Sequence, residues 1–98
     1  MSAMSIALSG MNAAQTWMNS SAHNVANMNT EGFKRQATKL TTIEPGQGVQ
    51  SSVQKTAQPM NLEQEVVEQM QASTMYKANA KVISTQDKMM GSLLSIKV

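Results

Sequence analysis

Two features of the chain have the side chains for acid–base or metal chemistry: a single histidine, His23, and three closely spaced carboxylates, Glu63, Glu65 and Glu68. A metal site needs several ligands converging on one point. His23, however, lies between Ala22 and Asn24 with no acidic residue within several positions and no cysteine anywhere in the chain. It reads as a histidine on a helix surface or at an interface. The glutamates fall where a helix begins, and there acids are stabilised by the free N–H groups of the first turn without any catalytic role. No Ser, His and Asp spacing, no phosphate-cradling glycine loop and no dinucleotide fingerprint is present. A two-helix molecule also has little room for a buried pocket. The reading is of a protein that is not an enzyme, with no catalytic residue, no cofactor, no metal ligand and no small-molecule substrate.

Amides offer a different chemistry. Asn24 and Asn27 are neighbours on one helix face, and Asn29 and Thr30 follow in the exit turn. Two readings stand side by side. The amides are caps for the helix end, or they set the register between packed helices, where a misplaced amide leaves an unsatisfied group costing about 1–3 kcal/mol. Phe33 follows as a hydrophobic anchor just past the stop, a role compatible with an ordinary core phenylalanine.

These residues need elements to hold them. A first helix is predicted over about residues 3–28. In it Met4, Met11, Met18 and Val25 recur every seven positions, with Ala7, Ala14 and Ser21 between them, as in a coiled-coil seam. Gly10 weakens this helix by roughly 1 kcal/mol relative to alanine. Asn29 to Gly32 stop it, with a glycine for the exit. Residues 36–60 change to a Thr, Gln, Ser and Gly composition around Pro45-Gly46-Gln47-Gly48, which suits a loose β-hairpin or an irregular loop. A second helix is predicted over about residues 61–95, capped by Asn61 with Gln64 as its partner and with Glu63 and Glu65 in the first turn. Leu62, Tyr76, Ala80, Ile83, Met90 and Leu94 share one side of it, and Met75, Val82, Met89, Leu93 and Ile96 widen the apolar arc.

The fold class that follows is mainly all-α: one domain over residues 1–98, in which two long terminal helices form an antiparallel coiled-coil-like hairpin joined by a short irregular or β-hairpin segment. The second helix, roughly 50 Å long against roughly 35 Å for the first, is too broadly apolar to be covered by one partner. The remainder is expected to meet other chains. With 10 Met against one Trp, one Tyr and one Phe, those contacts rely on adaptable thioethers. A net charge of +2 excludes a strong case for nucleic acid. No cleaved signal with a basic leading region is visible, and no run is apolar enough to span a bilayer.

The motifs Ser9-Gly10-Met11 and Asn24-Val25-Ala26-Asn27-Met28-Asn29-Thr30-Glu31-Gly32-Phe33-Lys34-Arg35 resemble the front of the bacterial flagellar basal-body rod and hook family. Asn61-Leu62-Glu63-Gln64-Glu65, Tyr76 to Thr85 and Met89 to Leu94 resemble its back. His23 and Glu31 depart from the family's usual residues, and the short middle makes the chain most like a shortened proximal-rod protein. The resemblance implies a structural subunit of a tubular axial assembly whose terminal helices pack around a channel. It also implies homo-oligomers, other rod or hook-type subunits and the flagellar type III export apparatus as partners, and a place in the basal-body rod of the periplasmic space, reached without a cleaved signal peptide. The assembly interface is then expected at Met4, Met11, Met18, Val25, Asn24, Asn27, Phe33, Tyr76, Ile83, Met90 and Leu94. The alternative, a small helical adaptor or secretion-apparatus component that binds one partner as a helical hairpin, accounts for the apolar arcs but not for the exit turn together with the second motif.

Overall fold

Ser2 opens the first helix by accepting the N–H of Ser5 on its hydroxyl at 3.1 Å. The structure, a computed structural model, describes residues 2–97. In chain order it comprises helix α1 (Ala3–Ala26), strands β1 (Gln36–Thr42) and β2 (Val49–Lys55), and helix α2 (Leu62–Lys97). This is the mainly helical hairpin predicted, with a two-stranded antiparallel sheet as the joining segment.

Helix α1 ends two residues before its predicted stop, and Asn27 is its C-cap, bonded back to the carbonyl of His23 in the last turn. Both its backbone N–H (3.2 Å) and its side-chain Nδ2 (2.9 Å) donate to His23 O, and Thr30 Oγ1 donates to Asn27 Oδ1 at 3.2 Å. Gly32 then carries the chain out at a φ of 73°, a conformation open to residues without a Cβ.

The strands pair in unbroken register from Gln36↔Lys55 to Thr42↔Val49. Gln47 N–H donates to Glu44 O at 2.9 Å, and between them Pro45 fixes the second turn position while Gly46 takes a φ of 80° at the third. That is the chemistry of a type II turn. A side chain at Gly46 would meet no neighbour, so the cost of a substitution there is backbone strain alone. Gly46→Val is expected to lower stability by about 1–2 kcal/mol. Gly91, also in open space but within α2, should behave oppositely, with Gly91→Ala raising stability by up to about 1 kcal/mol. Thermal melts of the two variants check both signs.

Helix α1 is the centre of the molecule. Both strands and α2 pack on it, whereas no strand comes within 8 Å of α2 between Cα atoms. Its buried residues are accordingly small: Ala7, Gly10, Ala13, Ala14, Ser20 and Ser21, together with Asn24. Ser9 Oγ holds the hairpin at one end by accepting Val49 N–H at 3.0 Å, and Asn24 holds it at the other.

Against α2 the seam is rotated from the one predicted. Ala7, Ala14 and Ser21 are buried as expected, but they are joined by Gly10 and Asn24. Met11, Met18 and Val25 are only half-buried and Met4 is exposed. Small side chains let the two backbones come close, and that leaves the bulky thioethers on the flank. At Gly10 the space is filled by a side chain of α2: an added Cβ would lie 2.6 Å from Asn79 Nδ2, while that amide donates to Met75 O at 2.8 Å. Gly10→Leu is therefore expected to destabilise the pair by about 1–3 kcal/mol through overpacking, read from the urea midpoint.

The antiparallel pairing has a consequence at the far end. With Gly10 against Asn79, α1 reaches its first turn as α2 reaches about residue 86, since both helices rise about 1.5 Å per residue. Beyond that point α2 has no partner among the described residues. Every described side chain from Asp87 to Ile96 is exposed, and the molecule is drawn out to 64 Å in its longest dimension.

Candidate functional site

A buried polar clasp joins the exit of α1, the entry to the hairpin and the first turns of α2. Its centre is Glu65, which is 0% exposed, as is Asn24, with Arg35 at 4%. Arg35 Nε donates to Glu65 Oε2 at 3.2 Å and its Nη2 to Glu68 Oε2 at 2.6 Å. Trp17 Nε1 donates to Glu68 Oε1 at 2.9 Å. Asn24 spends both amide hydrogens, one on Gln36 O at 2.8 Å and one on Glu65 Oε1 at 2.7 Å, and its Oδ1 accepts Gln36 N–H at 2.7 Å. Ser21 Oγ donates to Glu65 O at 3.1 Å and accepts from Gln69 Nε2 at 3.2 Å.

Burying these charges costs several kcal/mol per ion unless partners offset it. Here each carboxylate oxygen has a donor, and the amide is fully satisfied. The backbone of Arg35 is held as well, its N–H on Gln58 O and its C=O accepting from Thr56 N–H and Oγ1. The clasp therefore fixes geometry: it sets where the hairpin leaves α1 and how α2 lies along it. Nothing in it is arranged as a nucleophile beside a base.

Sequence reasoning missed this group. It assigned Glu65 and Glu68 to the helix dipole, yet both are turned inward onto Arg35, and only Glu63 is left as an exposed first-turn acid. Of the two readings for the amides, each is realised once: Asn24 is the buried register-setter and Asn27 is the cap. Asn61 caps α2 as predicted, accepting Gln64 N–H at 3.3 Å. His23 is exposed and stands edge-on to Phe33, with ring centroids 5.6 Å apart and planes at 66°. Among the described residues no three His, Cys, Asp or Glu side chains are grouped so as to hold a metal ion, and no helix is long and apolar enough to cross a membrane.

The second candidate region is the open surface of α2. Tyr76 borders a shallow depression with Ala14, Met18 and Ala72, and Ile83 is half-buried. Met90 and Leu94 stand free, and with Met89, Leu93 and Ile96 they make an apolar overhang whose side chains are 55–80% exposed. The eleven residues expected at an interface are thus divided. Asn24 is taken into the clasp and Asn27 into the cap, Phe33 lies against His23, Met11, Met18 and Val25 are half-buried on the flank of α1, and Met4 and the far stripe of α2 are exposed.

The site is a pair of long helices joined by a buried polar clasp, with the last turns of α2 left exposed and apolar. Residues 61–96 match the family model described as flagellar basal body rod FlgEFG protein C-terminal, and residues 4–34 match the one described as flagella basal body rod protein. The matches fall on α2 and on α1 with its exit turn, and the chain belongs to the flagellar basal-body rod and hook family. It is a basal-body rod component, and the domains of that family are structural. No curated protein matches the chain.

Proposed function

We propose that the chain is a structural subunit that self-assembles through its terminal helices into the tubular axial part of the rod, most like a shortened proximal-rod protein. The observation that carries this reading is the overhang: Met89, Met90, Leu93, Leu94 and Ile96 lie on a rigid helix beyond the reach of α1, with Leu94 at 62% exposure and Ile96 at 80%. Contiguous exposed apolar surface of this kind marks an interaction site. Exposed Met4 and the half-buried Met11, Met18 and Val25 widen the surface on the other helix.

Other copies and other rod or hook-type subunits are the partners in this reading, the flagellar type III export apparatus delivers the chain, and the assembled rod crosses the periplasmic space. The role is mechanical rather than catalytic. Asn24 with its clasp, and Asn27 with Phe33 at the exit turn, fix the shape that is presented, while the apolar stripe through Tyr76, Ile83, Met90 and Leu94 supplies the association energy. Apolar burial contributes about 25 cal/mol per Å² without specifying a geometry, so the polar groups must specify it.

Sedimentation velocity across a concentration series tests the reading. Growth from monomer to large oligomers is the expected result. A compact monomer at every concentration, binding no dye specific for exposed apolar surface, would overturn it.

A further inference from the structure

The hairpin carries backbone groups that the fold does not use. In an antiparallel pair, alternate residues turn their N–H and C=O toward the partner strand and away from it. Ile43 N–H donates to Gly48 O and Thr56 N–H to Arg35 O, both at 3.1 Å. With the observed register, Ala37, Lys39 and Thr41 therefore face β2. Gln36, Thr38, Leu40 and Thr42 face outward on β1, and Val49, Ser51, Val53 and Lys55 face outward on β2.

Helix α1 closes one end of each outer edge. Asn24 occupies both groups of Gln36, and Ser9 Oγ occupies the N–H of Val49. Among the described residues the outward groups of Thr38, Leu40 and Thr42 on one edge, and of Ser51, Val53 and Lys55 on the other, have no partner. Neither strand contains proline, and the register has no bulge, two of the devices that usually blunt an edge.

We propose that these edges join copies of the chain: β1 of one receives β2 of the next, antiparallel, with Thr38 opposite Lys55, Leu40 opposite Val53 and Thr42 opposite Ser51 of the second copy. The two windows are equal in length, and their closed ends select the register. A slip of two residues one way sets Lys55 against the occupied Gln36 and Thr42 against the occupied Val49, and a slip the other way loses a pair. The side chains agree. Leu40 meets Val53, which is 43% exposed in the single chain, and an apolar cross-strand pair is favourable.

The end at Thr38 opens into a groove of about 590 Å³ between β1 and the first turns of α2, bordered by Glu63, Val67 and Glu68. A lysine entering opposite Thr38 comes beside the exposed carboxylate of Glu63, so the charges are complementary. The contact is heterologous. Each added copy leaves one free edge at each end, and such contacts propagate into rings or helical arrays. It adds to the proposed helical assembly an outer belt of backbone hydrogen bonds.

The chain has no cysteine, so single introduced cysteines report the pairing cleanly. Directly opposed residues of this kind lie about 5.5 Å apart between Cα atoms, within disulfide range. A mixture of Leu40→Cys and Val53→Cys chains, oxidised in the assembled state, is expected to give a disulfide-linked heterodimer, and Thr42→Cys with Ser51→Cys a second one. Each variant alone should give almost none. Hydrogen exchange gives a readout free of mutation. The amides of Thr38, Leu40, Thr42, Ser51 and Val53 should become slow on assembly, while those of Gln36 and Val49 are slow already in the monomer. Efficient linkage of Leu40→Cys with itself, no linkage in either mixture, or outward amides that stay fast in assembled protein would overturn the proposal. These readouts score the hairpin alone, so their failure is distinct from a failure of helical association, which sedimentation scores.

Discussion

Arg35→Met is expected to destabilise the chain by about 3–5 kcal/mol, a large part of the roughly 5–15 kcal/mol available to a small domain. The substitution keeps the apolar stem but leaves Glu65, fully buried, beside Glu68 with no cation between them. Two adjacent carboxylates at low dielectric repel, and burial removes the water that would screen them. Asn24 Nδ2 and Trp17 Nε1 still donate to them, but neutral donors do not replace a guanidinium that meets both acids. Adding Glu65→Leu to Arg35→Met should recover part of the loss, because it removes a buried charge that had become unpaired. Arg35→Lys should fall between, keeping the charge but losing the fork that reaches two carboxylates. Urea unfolding followed by circular dichroism measures all three. Equal stability of Arg35→Met and the parent would mean that the clasp is incidental.

The second large effect is on association. Leu93→Asp lies in the overhang, where Leu93 is 59% exposed, so folding should change by no more than about 0.5 kcal/mol. If the overhang packs against neighbours, however, the new carboxylate must be buried in an apolar contact, and self-association should weaken by roughly tenfold or more. Ile83→Asp is less informative, since Ile83 is already half-buried and its loss mixes folding with assembly. Asn27→Leu should cost only about 1 kcal/mol, the usual net worth of an exposed hydrogen bond, and spare association, while loosening the exit turn that positions Phe33. Sedimentation equilibrium of Leu93→Asp beside the parent, with matched melting curves, separates the two effects.

Much of this architecture was legible in the residues. Heptad spacing of Met4, Ala7, Met11, Ala14 and Met18 implied a helix with one packed face, Asn61 announced the second helix, and Pro45-Gly46 announced the reversal, because each of these signals is local. What was hidden depends on contacts between distant segments. An acid in the first turn of a helix satisfies the dipole whichever way it points, so nothing near Glu65 told that it would turn inward to meet Arg35 and Asn24. The seam was misjudged for a related reason. Large apolar residues look like core, yet in a close helix pair Gly10 and Ala14 lie inside and Met11 and Met18 stand beside them. The fate of Asn24 and Asn27 could not be divided from sequence, since both amides suit a cap or a clasp until the path of the chain after Gly32 is known.

Electron cryomicroscopy of protein assembled at high concentration tests the central claim most directly. The account predicts tubular particles in which the part of α2 from Asp87 to Ile96 lies against the helices of neighbouring subunits around an axial channel, with the hairpins outside. Particles held together without that segment, or a chain that remains single with the overhang in solvent at every concentration, would contradict it.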